Sequence, residues 1–175
     1  VPSPTSNGNQ TICVGQTLPN LSVAVGSNTT VDWYSAASSG TLLQTGNTNY
    51  TPTAAGTYYA QARNTINNCT SSSRTAVSLT INALPTIAVA STNCSTDLLT
   101  YTATISTNGT ITTTTGGTIS GNTVINIPAN TSITVTTTLA GCTNSVVVNA
   151  PVCSCPAVPS PTSNGNQTIC VGQTL

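Results

Sequence analysis

Among the side chains of this chain, the cysteines are the ones whose type and spacing can do chemistry. There are seven, at positions 13, 69, 94, 142, 153, 155 and 170, and the sequence contains no histidine. The charged inventory is Arg63, Arg74, Asp32 and Asp97. General acid-base catalysis draws chiefly on His, Glu, Asp and Lys, and a Ser or Cys nucleophile needs a neighbouring base. Asp32 lies in the strand-like VDWYS and Asp97 in the turn-like NCSTDLL, where an Asp commonly hydrogen-bonds local backbone. The chain therefore reads as non-enzymatic and without a cofactor. Calcium sites need several carboxylates and zinc sites need His or clustered thiolates, so no metal is expected. Without Lys there is no Lys-Asn isopeptide bond, and without clustered Lys and Arg there is no footprint for nucleic acid.

An even set of cysteines without catalytic or metal partners reads as disulfides, and hence as an oxidising, extracytoplasmic setting. Cys170 is set apart, because residues 158–175 repeat residues 1–18, VPSPTSNGNQTICVGQTL, letter for letter; it is the copy of Cys13. Two halves of the remaining sequence align around their cysteines: Cys13 precedes LSVAV as Cys94 precedes LLTYTATIS, and CTSS at Cys69 matches CTNS at Cys142. The alignment predicts Cys13 with Cys69 and Cys94 with Cys142, one staple per domain. Cys153 and Cys155, in VCSCP, keep three options open: a small ring between them, an altered pairing with Cys94 and Cys142, or a cross-link between chains.

Several elements must position these cysteines. Strict alternation at Leu21, Val23, Val25, at Val77, Leu79, Ile81, at Leu99, Tyr101, Ala103, Ile105 and at Ile133, Val135, Leu139 marks strands with one buried face. Thr, Val, Ile and Tyr dominate, with Gly-, Ser- and Asn-rich turns at short intervals, and no segment carries a helical period. The expected fold is all-β: two consecutive antiparallel β-sandwiches per repeat, over residues 1–84 and 85–157, with 158–175 opening the next copy. Joints fall at Pro85 and at the run from Pro151 to Pro161. Domains this small rarely fill a sufficient core, so a disulfide staple suits them.

The exact repeat implies a period of 157 residues and a longer quasi-one-dimensional array, whose natural product is length. A rival continuation is a filament of separate subunits in which the last segment fills a neighbour's first strand. Only 2% of the residues are charged, against roughly 25–35% on ordinary soluble surfaces. A neutral Thr, Ser and Asn coat should be indifferent to pH and salt and should tolerate close lateral packing. No run approaches a membrane span, and nothing at the N-terminus resembles a signal peptide, as expected of an internal or mature fragment.

In the first half, VDWYS puts Trp33 on a central strand and GTYYA puts Tyr58 two residues after Gly56, resembling the core Trp and tyrosine corner of immunoglobulin-like domains. The usual disulfide between the second and sixth strands is missing, since Cys13 precedes one strand and Cys69 follows the other. The series ICVGQTL, VDWYS, AAGTYY, NNCTSS and SLTIN resembles the immunoglobulin-like tandem repeats of very large surface proteins of Bacteroidetes-type bacteria. That resemblance implies secretion to the cell surface and a role in adhesion, gliding, biofilm or extracellular fibres.

The expected function is a structural stalk or filament whose partners are neighbouring copies of the same repeat. The alternative is an adhesin module binding carbohydrate or another surface, with Trp33 or the tyrosines, Tyr58 included, as stacking platforms. A single Trp on a strand is more often core. The Thr runs TITTTT and TVTTT read as ordinary polar strand faces rather than as a flat ice-binding array.

Overall fold

The computed structural model describes residues 1–154; Cys155, Cys170 and the repeated segment 158–175 lie outside the described residues. The first half contains β1 (Thr5–Ser6), β2 (Gln10–Cys13), β3 (Leu21–Ala24), β4 (Thr29–Tyr34), β5 (Leu42–Gln44), β6 (Asn49–Tyr50), β7 (Gly56–Asn64) and β8 (Thr75–Asn82). They form a three-stranded sheet, β1-β3-β6, and a five-stranded sheet, β2-β8-β7-β4-β5. The second half contains β9 (Ile87–Cys94), β10 (Thr100–Thr107), β11 (Thr110–Thr114), β12 (Thr118–Ser120), β13 (Thr123–Pro128), β14 (Ile133–Leu139) and β15 (Cys142–Val148). Its sheets are β12-β13-β10-β9 and β11-β14-β15.

Pairing is antiparallel throughout except between β2 and β8, which run parallel from Gln10↔Leu79 to Cys13↔Asn82. The two sandwiches are antiparallel as expected, and the one parallel pair among the described residues is confined to this edge. After the loop that follows β1, the chain crosses to the other sheet and lies alongside the last strand of the sandwich, in the same direction.

Each sandwich has its own core. The first collects Leu21, Val23, Val31, Trp33, Ala60, Val77 and Leu79. The second collects Tyr101, Ala103, Ile105, Ile111, Val124, Ile127, Ile133, Val135 and Val148. The alternation at Leu21 and Val23, at Val77 and Leu79, and from Tyr101 to Ile105 places those residues inward, as a period of two requires. Two positions expected to face inward do not. Leu99 is 70% exposed, because β10 begins only at Thr100 and Leu99 still belongs to the preceding turn. Leu139 closes β14 exposed, and the buried position before it is filled by Thr137.

Trp33 is fully buried. Its ring stacks on Tyr50 at 5.6 Å, and its indole Nε1 donates to the Asn47 carbonyl at 3.0 Å. Tyr58 lies 5.0 Å from Tyr50 and donates its hydroxyl to the Ala54 carbonyl at 2.8 Å, the short backward bond of a tyrosine corner. These contacts make Trp33 a core residue and leave it no face for a ligand.

Candidate functional site: cysteines at the domain poles

Strand direction decides which end of a sandwich each cysteine occupies. In the first sandwich β8 ends at Asn82, beside the second sandwich; the Asn82 Nδ2 donates to the Ala140 carbonyl at 2.9 Å. We call this end its inner pole. Its outer pole holds the β3–β4 and β7–β8 turns, joined by the Thr65 N–H donating to the Asn28 carbonyl at 2.9 Å. In the second sandwich the β14–β15 turn faces the first sandwich, and the β9–β10 turn lies at the far, outer pole.

Cys13 ends β2 opposite Asn82 and is therefore at the inner pole. Cys142 opens β15 after the two-residue turn Ala140-Gly141. Both turn residues have positive φ, 49° and 80°, the twist that suits a tight hairpin. That turn delivers Cys142 to Cys13, and the two form a disulfide with a Cα–Cα distance of 5.7 Å. The second disulfide joins Cys94, at the end of β9, to Cys153, also with a Cα–Cα distance of 5.7 Å, and pins the chain leaving β15 to the outer pole of the second sandwich.

The expected pairs, Cys13 with Cys69 and Cys94 with Cys142, are thus corrected. Cys69 sits in the β7–β8 turn at the outer pole of the first sandwich, and all of β8, about 25 Å of strand, separates that turn from Cys13. A disulfide needs Cα atoms within about 7 Å. Cys142 and Cys94 likewise sit at opposite poles of the second sandwich. For Cys153, the altered pairing with Cys94 is the option realised. Cys69 is exposed and is a free thiol among the described residues.

The charged residues are engaged structurally. Arg63 Nε donates to Asp32 Oδ2 at 2.7 Å, while Thr45 Oγ1 and the Gly46 N–H donate to Asp32 Oδ1 at 2.7 and 3.0 Å. Burial pushes the Asp32 carboxyl upward, but these donors and the Arg63 charge outweigh it and hold the group below its ordinary value. Arg74 caps the carbonyls of Ala36 and Ser39 at 2.7 Å each and lies 3.4 Å over the Tyr34 ring. Asp97 accepts from the Ser95 hydroxyl at 2.5 Å and from the Leu99 N–H at 3.0 Å, a local turn contact. Asp32 and Asp97 belong to different sandwiches and form no carboxylate pair.

Residues 2–82 match the family model described as Ig-like domain, CHU_C associated. The Ig-like assignment so carried by the first sandwich agrees with its Trp33 and Tyr58 contacts. The structure as a whole is similar to that of the N-terminal eight Ig domains of Down Syndrome Cell Adhesion Molecule, with TM-score 0.54 and 13% identity over 86% of this chain and 27% of that one. Weaker likenesses include Sidekick-1 immunoglobulin domains 1-4, with TM-score 0.42 and 14% identity over 85% of this chain and 47% of that one. Another is an I-band fragment of titin, with TM-score 0.37 and 10% identity over 83% of this chain and 64% of that one. No curated protein matches the sequence. At such identity the likeness to the first of these speaks for the fold alone: two Ig-like sandwiches in succession.

The functional feature that sequence reasoning missed is the covalent bond across the domain joint. A signal was present. Cys13 precedes β3 and Cys69 follows β7, and those two strands run the same way, so the two cysteines must lie at opposite ends.

Proposed function

We propose that this chain is part of an extracellular tandem-repeat stalk or filament, non-enzymatic, whose work is to hold domains in line outside the cell. The observation that carries the reading is the Cys13–Cys142 disulfide, which bonds one Ig-like sandwich to the next within the repeat. A bond of that kind limits hinging at the joint. The verbatim recurrence of residues 1–18 at 158–175 supports continuation of the same arrangement into further copies, covalently or by strand addition. The resemblance to repeats of large bacterial surface proteins supports a cell-surface or secreted location, as do the two disulfides. An adhesin module remains the second function for such domains, but the carbohydrate platform first considered is weakened by burial of Trp33. The deciding experiment is electron microscopy of the native protein. Long fibres with a regular axial repeat are expected, and short compact particles would overturn the reading.

A further inference from the structure

We infer that successive repeats join pole to pole, the outer pole of the second sandwich seating on the outer pole of the next repeat's first sandwich, with a disulfide between Cys155 and Cys69 of that next repeat closing the joint. The inference rests on the filament reading and specifies its repeat-to-repeat contact.

Three observations meet at these poles. The first is the arrangement at the joint inside the repeat. There the cysteine beside the turn between the last two strands, Cys142, is bonded to the preceding sandwich. Cys69 occupies the corresponding turn of the first sandwich, between β7 and β8, and its preceding sandwich belongs to the previous repeat. What precedes Val1 in an array is the run Cys153-Ser154-Cys155-Pro156-Ala157.

The second observation is reach. Ser3 is fixed on the β7–β8 turn, its hydroxyl 2.7 Å from that of Ser73, and Thr75 donates its hydroxyl to the Pro4 carbonyl nearby. The copy of Ser3 is Ser160, five residues after Cys155, a reach of about 17 Å. Cys69 is four residues from Ser73, within about 14 Å of it along the chain. The sulfurs can therefore meet. At the other side, the Cys94–Cys153 bond holds the chain to the outer pole until two residues before Cys155, so the connection is short on both sides of the joint.

The third observation is what the poles expose. The three most exposed large apolar side chains among the described residues are Val152 at 85%, Ile66 at 76% and Leu99 at 70%. Val152 and Leu99 lie at the outer pole of the second sandwich, and Ile66 lies in the β7–β8 turn. On the first sandwich a pocket of about 480 Å³ opens between Pro2, Ser3, Ala24, Val25, Gly26 and Thr29, reaching the β3–β4 turn of the outer pole. Poles meeting end to end remove these apolar groups from water, and a second copy of the chain is the occupant that brings them together.

Forming the bond converts two thiols into one disulfide. The electron pair and two protons pass to an oxidised protein or small-molecule disulfide, which leaves as two thiols.

Trypsin offers a direct test, since cleavage at Arg63 and Arg74 isolates Cys69 in the peptide Asn64–Arg74. The native protein is denatured in N-ethylmaleimide, digested and analysed by mass spectrometry before and after reduction. The expected result is that Asn64–Arg74 appears only after reduction and is joined, before it, to the fragment containing Cys155. A maleimide-labelled Asn64–Arg74 released without reduction overturns the joint. The tryptic fragment from Thr75 also holds Cys94, Cys142 and Cys153, so the linked cysteine is located by fragmenting the joined peptides, and a partner other than Cys155 overturns the joint as well. In fibres carrying Cys155→Ser, one maleimide per repeat is expected on Cys69, and an unlabelled Cys69 there also overturns it. Electron microscopy of the same preparation separates the two levels: fibres with labelled Cys69 remove the joint alone, whereas compact particles remove the filament reading and the joint with it.

Discussion

Thr137 is fully buried, on the inward face of β14 in line with Ile133 and Val135, and its hydroxyl has no hydrogen-bond partner among the described residues. An unpaired buried hydroxyl costs about 1–3 kcal/mol, and Val has nearly the same shape. Thr137→Val is expected to stabilise the second sandwich by about 1 kcal/mol or more, read as a raised denaturant midpoint at unchanged slope; a lowered midpoint would show that the hydroxyl is satisfied. The charged residues give a pH profile. Asp32 is held below its ordinary value against its own burial, by Arg63, Thr45 and Gly46, and exposed Asp97 by the Ser95 hydroxyl and the Leu99 N–H. Groups of depressed pKa contribute stability that is present above their unfolded value of about 3.9 and lost as pH falls through the folded value. Burial raises the phenols of Tyr50 and Tyr101; their contribution is present below about 10 and lost as pH rises beyond it. With no His and two Asp in the chain, unfolding midpoints are expected to stay level between about pH 5 and 9 and to fall only outside that window. A step near pH 6–7 in a thermal melt series would contradict this.

At the level of elements, the Ala140-Gly141 turn carries more than its size suggests, because it aims Cys142 across the joint. Ala140 holds φ 49°, where a Cβ costs about 1 kcal/mol and Asn is better tolerated. Ala140→Asn is expected to raise the thermal midpoint of the second sandwich while leaving the disulfide formed, checked by thiol counting. Cys13→Ser should leave both cores folded and free the two sandwiches to hinge. Small-angle scattering should then show a broader distance distribution than for the parent, with unchanged circular dichroism; identical scattering would mean that the Asn82–Ala140 and Asn144–Pro85 hydrogen bonds hold the joint unaided. The inward residues of these strands were legible because period-two alternation is a one-dimensional signal: Val77 and Leu79 declare their face without help. Leu99 was misread because two consecutive leucines satisfy either phase, and the turn that decides between them is set by Ser95 and Asp97. The cysteine pairing was misread for a different reason. Similar flanking motifs report equivalent turns, and they did so for Cys69 and Cys142, but they do not report which neighbour a turn faces. The parallel edge of β2 on β8 was hidden because pairing partners far apart in sequence leave no local pattern.

On the scale of the whole molecule, both arginines lie inside the segment enclosed by Cys13 and Cys142. In an array of such repeats, trypsin would therefore nick each one without parting the chain. Native material digested to completion is expected to keep its apparent length on a non-reducing gel and to collapse into fragments once reductant is added; shortening without reductant would refute the enclosure. The same disulfide also sets how far the molecule can stretch. Tension applied along the chain passes from Cys13 directly to Cys142, so the residues between them carry none of it. Subtracting the 129 enclosed steps from the 157 of the period leaves 28. Even with both sandwiches pulled open, one repeat can then lengthen to only about 100 Å, against about 550 Å for the same chain without the bond. A fibre of such units would behave as a tether of limited extensibility rather than as a spring that pays out slack as its domains unfold.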